Sequence, residues 1–166
     1  MAKRYLRECG RADGQIGVQF VSTQTLETGG IGQAILTPVA PDTVITGNVT
    51  FSIPGGTFTD FIINPTVTGP NAAGGPATIV AISNDGTFTK DITLGNGSNF
   101  WTLTTTGGEV MSSVSLNLAA GTNYFQYEQP RVSGAAGGTF VPEPASLALL
   151  GGALIGFGVL RRRKLV

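Results

Sequence analysis

The sequence predicts an all-β fold: an antiparallel β-sandwich or jelly-roll-like body, followed by a single C-terminal transmembrane helix. Three observations support this prediction. Short segments alternate apolar and polar residues with a period of two, which is typical of half-buried strands. Breaks rich in Asn, Asp and Gly separate these segments, and such residues favour tight turns between antiparallel strands. Residues 145–160 contain no charged residue and are followed at once by four cations.

The clearest predicted strand spans residues 44–53. Its apolar residues share one parity and its polar residues the other, so one face is expected to be buried. The apolar set is Ile45, Val49, Phe51 and Ile53. Residues 110–118 repeat the pattern, with Val110, Val114, Leu116 and Leu118 on the predicted core face and Met111 on the opposite face. Further strands are predicted at residues 18–25, 33–37, 58–63, 77–83, 87–94, 100–105 and 123–128, with a hairpin loop at residues 84–86.

The chain divides into four segments. Residues 1–15 show no apolar run of the length that a secretory signal peptide needs, so we expect a disordered or mis-started N-terminus. Residues 16–133 form the predicted β-sandwich body. Residues 134–140 are small apart from Phe140, and this composition predicts a flexible linker. Residues 141–166 form a separate tail.

Composition excludes several functions. The chain has no His and one Cys, which rules out His-dependent catalysis, His-ligated zinc and an intrachain disulfide. The formal net charge is zero, but it is unevenly spread. Residues 14–144 carry two basic and eight acidic residues, a net of −6, whereas residues 145–166 carry +4. An acidic body with two cations does not neutralise many phosphates, so nucleic-acid binding is not expected.

The tail contains three successive elements. Pro142, Glu143 and Pro144 form a stiff, extended start. The uncharged stretch 145–160 would span about 24 Å as a helix, short of a bilayer core of about 30 Å. Snorkelling cations and slight thinning of the bilayer close that gap. The apolar residues expected to anchor it are Ala145, Leu147, Leu149, Leu150, Leu154, Ile155, Phe157 and Leu160, and the charges expected to stop transfer are Arg161, Arg162, Arg163 and Lys164.

Pro-Glu-Pro, a short apolar stretch and an arginine-rich end resemble the PEP-CTERM sorting signal of Gram-negative bacteria, over residues 141–164. The resemblance implies export across the inner membrane and recognition of the tail by an exosortase, a membrane-embedded cysteine protease or transpeptidase. It further implies a transient stay in the inner membrane and release to the cell surface or the extracellular matrix of a biofilm. The body is loosely similar to uncharacterised secreted proteins that carry this signal. A buried core helix at residues 145–160 is the competing interpretation of the apolar stretch alone.

Candidate sites in the body are weaker. Asp60, Glu109 and Glu128 are acids of the type that glycosidases use, although sequence does not pair them, and solvated acids are the usual outcome. Asn84, Asp85 and Asp91 offer oxygen ligands for calcium, but Asn-Asp-Gly is foremost turn chemistry. Trp101, Tyr124 and Tyr127 are possible stacking residues for sugars, or else aromatic residues at the edge of the core. We expect no enzyme activity, no metal and no cofactor.

The sequence thus favours an exosortase-sorted surface or matrix protein with a structural or adhesive role. One alternative is a carbohydrate-binding module for extracellular polysaccharide. A second alternative is a permanently anchored single-span membrane protein.

Overall fold

The computed structural model describes residues 3–9, 16–29, 35–39 and 42–137. Every regular element in this part of the chain is a β-strand, as the sequence predicts. The strands are β1 Lys3–Cys9, β2 Ile16–Ser22, β3 Leu26–Gly29, β4 Ile35–Pro38, β5 Val49–Ser52, β6 Gly56–Thr57, β7 Asp60–Ile63, β8 Pro65–Val67, β9 Gly75–Ser83, β10 Gly86–Leu94, β11 Gly97–Ser98, β12 Trp101–Thr104, β13 Met111–Leu118, β14 Gln126–Glu128, β15 Arg131–Ser133 and β16 Ala136–Gly137.

One layer is a six-stranded sheet in the order β1-β2-β5-β13-β9-β10, and each neighbouring pair in it is antiparallel. Its longest strands, β9 and β10, form a hairpin closed by the pair Ser83 and Gly86. The Asn84-Asp85 turn between them confirms the predicted loop, and Gly86 has a φ of 130°, which favours glycine. Strand β10 lies at one edge of this sheet.

The other layer contains a five-stranded sheet, β11-β8-β14-β4-β3, and a three-stranded sheet, β12-β7-β15. The two sheets adjoin because three strands run from one into the other with a short break. Strand β7 passes into β8 through Asn64, β11 into β12 through residues 99–100, and β14 into β15 through residues 129–130. Pairing continues across the breaks, since Glu128 N donates to Asn64 O (2.9 Å) and Asn99 N donates to Pro65 O (3.1 Å).

Aromatic side chains from both layers meet between the sheets. The ring centroid of Phe51 on β5 lies 5.1 Å from that of Phe61 on β7 and 5.0 Å from that of Tyr127 on β14. Tyr124 packs edge-on against Tyr127 at 5.8 Å. All four are buried, and burial of one large apolar side chain contributes about 1.5–3 kcal/mol. The two layers therefore enclose one core, which makes the body an antiparallel β-sandwich.

The predicted strand at residues 44–53 is confirmed in its pattern and shortened in its extent. Ile45, Val49, Phe51 and Ile53 all lie in the core. Regular pairing, however, covers only β5, and Ile45 makes an isolated bridge to Tyr124. The other predicted strands correspond to β2, β4, β7, β9, β10, β12 and β14, with ends displaced by one to three residues, apart from the part of 33–37 that lies outside the described residues.

The alternation predicted for residues 110–118 is wrong at its start. Met111, predicted to face solvent, is buried, whereas Val110 is only half-buried. The pairing of β13 with β9 shifts register between Met111 and Ser113, so the extra residue of this bulge turns Met111 inward. Met111 is also held by two backbone hydrogen bonds with Phe58, of 2.8 and 3.0 Å. Beyond the bulge, Val114 and Leu116 are buried as predicted.

Both ends of the body differ from the prediction. Within residues 1–15, expected to be disordered or mis-started, Lys3–Cys9 forms β1 and pairs along its whole length with β2. Within residues 134–140, expected to be a flexible linker, Ala136–Gly137 forms β16 and pairs with β6. A strand can form at the charged N-terminal stretch because β2 offers it an unpaired edge, a tertiary effect that local composition does not reveal.

Candidate functional site

The residues predicted to direct sorting lie outside the described part of the chain. These are Pro142, Glu143 and Pro144, the predicted anchor at residues 145–160 and the cations at residues 161–164. In the described ranges no helix is long and apolar enough to cross a membrane. Any site that the structure describes therefore lies in the β-sandwich.

Two of the three predicted sugar-stacking residues are core residues. Tyr124 and Tyr127 are fully buried and pack on each other and on Phe51, so their rings are not accessible to a sugar. The prediction of a stacking platform is wrong for both, because β14 and the isolated bridge of Tyr124 to Ile45 place the two rings between the layers. Trp101 is half-buried and packs against the same core from β12, an edge strand of the three-stranded sheet.

The structure instead forms a groove where the edges of the two layers diverge. We call it the edge groove; it has a volume of ≈ 290 Å³. One wall comes from the β9–β10 hairpin and β13, and the other from β12 and the residue that follows it. The lining residues are Ala81, Ser83, Phe88, Thr102, Leu103, Thr104, Thr105, Glu109 and Met111.

The edge groove exists because the second layer does not cover the part of β10 next to the hairpin turn, residues 86–91. Ile92 and Leu94 on β10 are buried, and Phe88 lies on the same face of that strand by alternation. Phe88 is opposite the buried Ala81, yet its side chain is 56% exposed. Lys90, between Phe88 and Ile92 on this face, is also exposed. A core-facing aromatic ring and a cation thus border an open groove.

The polar lining of the edge groove is partly fixed by hydrogen bonds. Ser83 Oγ lies within hydrogen-bond distance of two acceptors, the Glu109 carboxylate and Gly86 O (3.2 Å), and donates its single proton to one of them at a time. Glu109 precedes β13 in a loop closed by its own N–H, which donates to Thr106 O at 3.1 Å. The groove therefore combines an aromatic face, threonine hydroxyls and one oriented carboxylate. Such a lining suits a neutral polyhydroxylated ligand, because carboxylates accept and hydroxyls both accept and donate hydrogen bonds.

Each of the candidate catalytic acids is engaged by its own neighbours. Hydrogen bonds from the hydroxyls of Thr59 (2.6 Å), Thr104 and Ser133 (3.1 Å) hold the pKa of Asp60 below its ordinary value. The Glu128 carboxylate accepts from Asn64 Nδ2 at 3.2 Å and from the side-chain amide of Gln126. These contacts hold strands of the second layer together.

The candidate calcium ligands are likewise used within the sheet. Asn84 Oδ1 accepts a hydrogen bond from Val110 N at 2.9 Å, which ties the hairpin turn to the start of β13. Asp91 Oδ1 accepts from Thr78 Oγ1 at 2.8 Å across the β9–β10 pair. In the described residues no group of three or more acidic, His or Cys side chains is placed to hold a metal ion.

Sequence reasoning missed Phe88. The available signal was its parity, which it shares with Ile92 and Leu94 in a strand that was correctly predicted. Parity alone assigns Phe88 to the core. Its exposure depends on where the second layer ends, which is a property of the tertiary structure.

Comparison with known proteins identifies the tail. The family model for the PEP-CTERM protein-sorting motif matches residues 140–164, in agreement with the sequence prediction. The chain thus carries a PEP-CTERM sorting motif, which implies an exported protein that is processed at the membrane by an exosortase. No curated protein matches the chain.

Several solved structures resemble the body loosely. A family 29 carbohydrate-binding module, solved as an aspartate-to-alanine mutant, is 16% identical with a TM-score of 0.46, covering 87% of this chain and 99% of that one. Another mutant of that module, complexed with mannohexaose, is 14% identical with a TM-score of 0.46, covering 83% and 94%. The family 32 module from C. perfringens NanJ, in complex with galactose, is 13% identical with a TM-score of 0.47, covering 72% and 93%.

Proposed function

We propose that this chain is sorted by an exosortase through residues 141–166 and then serves a structural or adhesive role at the cell surface or in an exopolysaccharide-rich biofilm matrix. The observation that carries the proposal is the sorting motif at residues 140–164. We propose no enzyme activity for the body, where the candidate acids Asp60 and Glu128 accept hydrogen bonds from neighbouring side chains.

The three elements of the tail have distinct physical roles in this proposal. Pro142, Glu143 and Pro144 are the recognition element, held extended because proline fixes φ and restricts the residue before it. Residues 145–160 anchor the chain in the inner membrane until processing. The cations at residues 161–164 stay on the cytoplasmic side, because positively charged segments are retained there, so the body faces outward.

The first experiment compares the mass of the full chain in hosts with and without active exosortase. We expect loss of the tail only when the exosortase is active. The double substitution Pro142→Ala/Pro144→Ala should leave the chain uncleaved in the inner membrane. The matched control is Pro70→Ala/Pro76→Ala, which removes two exposed prolines of the body and should not affect processing. Retention of the tail in the presence of active exosortase would instead mean a permanently anchored single-span protein.

The edge groove supports a second candidate function, binding of extracellular polysaccharide. Aromatic rings bind the apolar faces of sugars, and Phe88 presents such a ring beside hydroxyls and the Glu109 carboxylate. The volume of the edge groove, ≈ 290 Å³, lies just below the roughly 300–1,000 Å³ of small-molecule sites, so a ligand of that kind would have to be small. In this proposal the sugar contact lies at Phe88 and not at the buried tyrosines.

Isothermal titration calorimetry of the protein with neutral polysaccharides tests this candidate, with the heat of binding as the signal. Phe88→Ala should weaken binding at least about tenfold, the effect of losing roughly 1.4 kcal/mol. Phe100→Ala is the matched control, since Phe100 is 65% exposed but does not line the groove. Equal affinities for the two variants, or no heat of binding with any polysaccharide, would rule out sugar binding at the edge groove.

A further inference from the structure

Strand β10 presents an open sheet edge. It is nine residues long and pairs on one side with β9, and no other strand in the described ranges pairs with its opposite side. Residues 86–91 of this strand are all exposed. Proteins usually protect such an edge, because its unpaired N–H and C=O groups are a template for another strand.

The backbone groups that face outward can be identified from the neighbouring pairs. On β9 and its flanks, Pro76 O accepts from Ala119 N (3.1 Å) and Asn84 N donates to Val110 O (3.1 Å), so even-numbered residues there point toward β13. Odd-numbered residues of β9 therefore point toward β10, because the direction alternates along an antiparallel strand.

The partners of those odd-numbered residues on β10 are Gly86, Phe88, Lys90, Ile92 and Leu94. The backbone N–H and C=O groups of these five residues point toward β9. The outward N–H and C=O groups belong to the residues between them, which are Thr87, Thr89, Asp91 and Thr93.

We propose that two copies of this chain pair edge to edge through β10, antiparallel about a two-fold axis at Thr89. Thr89 then exchanges both backbone hydrogen bonds with Thr89 of the second copy. Thr87 lies opposite Asp91 of the second copy, and Phe88 lies opposite Lys90. The pairing joins two six-stranded sheets into one and adds about six backbone hydrogen bonds.

Side-chain chemistry favours this register over axes at the neighbouring residues 88, 90 and 91. The core-facing side chains of both copies must lie on the same side of the joined sheet. The two-fold axis therefore has to pass through a residue that pairs with its own copy. An axis at Lys90 or at Asp91 would place two like charges directly opposite each other, and an axis at Phe88 would place Asp85 against Asp91, both unfavourable. An axis at Thr89 avoids all like-charge pairs. It also sets each exposed Phe88 ring against a lysine ammonium, a cation–π contact, and each Asp91 against a threonine hydroxyl.

Disulfide trapping of the full chain in detergent tests the register. In a Cys9→Ser background, Thr89→Cys should cross-link readily, because Cα atoms of a hydrogen-bonded pair lie about 5.5 Å apart and a disulfide needs roughly 4.4–6.8 Å. Thr87→Cys is the matched control: its two copies would lie about 13 Å apart, too far to bridge. We expect Thr89→Cys to cross-link at least about tenfold faster. Mixing Thr87→Cys with Asp91→Cys should restore cross-linking.

Equal rates for Thr89→Cys and Thr87→Cys would overturn the proposal, because association through the membrane tail or a shared micelle does not distinguish these positions. A second variant gives an independent readout. Thr89→Pro removes an outward N–H without removing a bond to β9, so the fold should persist. It should abolish the dimer in sedimentation experiments while leaving the unfolding midpoint nearly unchanged. A wild-type chain that sediments as a monomer at every concentration tested would equally refute the pairing, with Lys90 then acting as the charge that protects the edge.

Discussion

At the scale of single residues, the core contains two phenol hydroxyls without partners. Tyr124 OH and Tyr127 OH are buried and find no hydrogen-bond partner among the described residues. Burial raises the pKa of both phenols far above the ordinary value, and the neighbouring Tyr124 adds to the shift of Tyr127. A buried polar group left unpaired costs about 1–3 kcal/mol. The packing of the two tyrosine rings in the core therefore has to outweigh the free-energy cost of leaving their hydroxyls unpaired.

Replacing Tyr127 by Phe should raise the free energy of unfolding by about 1 kcal/mol, because the ring contacts with Phe51 and Tyr124 stay while the unpaired hydroxyl is removed. Chemical denaturation at neutral pH measures the effect. The matched control is Thr122→Val, which deletes a buried hydroxyl that does have a partner, Pro76 O at 2.8 Å, and should lower stability by a similar amount. A clear loss of stability in Tyr127→Phe would mean that its hydroxyl is paired after all.

The two buried tyrosines also determine whether the stability of the fold rises or falls with pH. In the unfolded chain a tyrosine ionises near pH 10, whereas the buried phenols cannot ionise without unfolding. The folded state then binds more protons than the unfolded state above that pH, so stability falls as pH rises through 10. Tyr127→Phe removes one of the two groups and should flatten this decline in the same denaturation experiment.

At the scale of elements, local pattern predicted nine of the strands in the described ranges but none of those with only two residues. β5 and β10 were predictable because their apolar and polar residues alternate with a period of two. β6, β11 and β16 have two residues each, too few for any period, and form only because a neighbouring strand supplies the hydrogen bonds. The inward turn of Met111 was equally inaccessible, since a bulge is defined by the partner strand.

The candidate sites show the same contrast between features that local sequence predicts and features that only tertiary packing creates. The sorting tail was identifiable because its three elements are contiguous in sequence and each has its own composition. The edge groove was not, because it joins Phe88 of one layer to Thr102 and Thr104 of the other. Residues from two sheets come together only through the packing of the sandwich. The sequence analysis named Trp101, which lies on β12 itself but packs against the core and does not line the groove.

At the scale of the whole molecule, the zero net charge combines an acidic body with a basic tail. The proposed processing removes the tail. Two copies of a body with a net charge of −6 over residues 14–144 repel each other at long range. Edge pairing through β10 is therefore expected to strengthen as salt is added, since screening shortens the range of that repulsion to about 8 Å at physiological ionic strength. The cations of the tail do not offset it, because they are separated from the body by the membrane segment in the proposed topology.

Processing by exosortase should convert a neutral chain into an acidic one. Residues 145–160 carry no charge, so cleavage at any bond between residues 144 and 161 removes the four cations of the tail and no acid. Residues 1–144 hold six basic and ten acidic residues, a net of −4. Isoelectric focusing of the chain from hosts with and without exosortase should show this shift directly. Pro142→Ala/Pro144→Ala changes no charge, so the variant should focus with the unprocessed chain even where the exosortase is active. A processed band that focuses with the full-length chain would place the cut beyond Lys164 and contradict the roles assigned to the three elements of the tail.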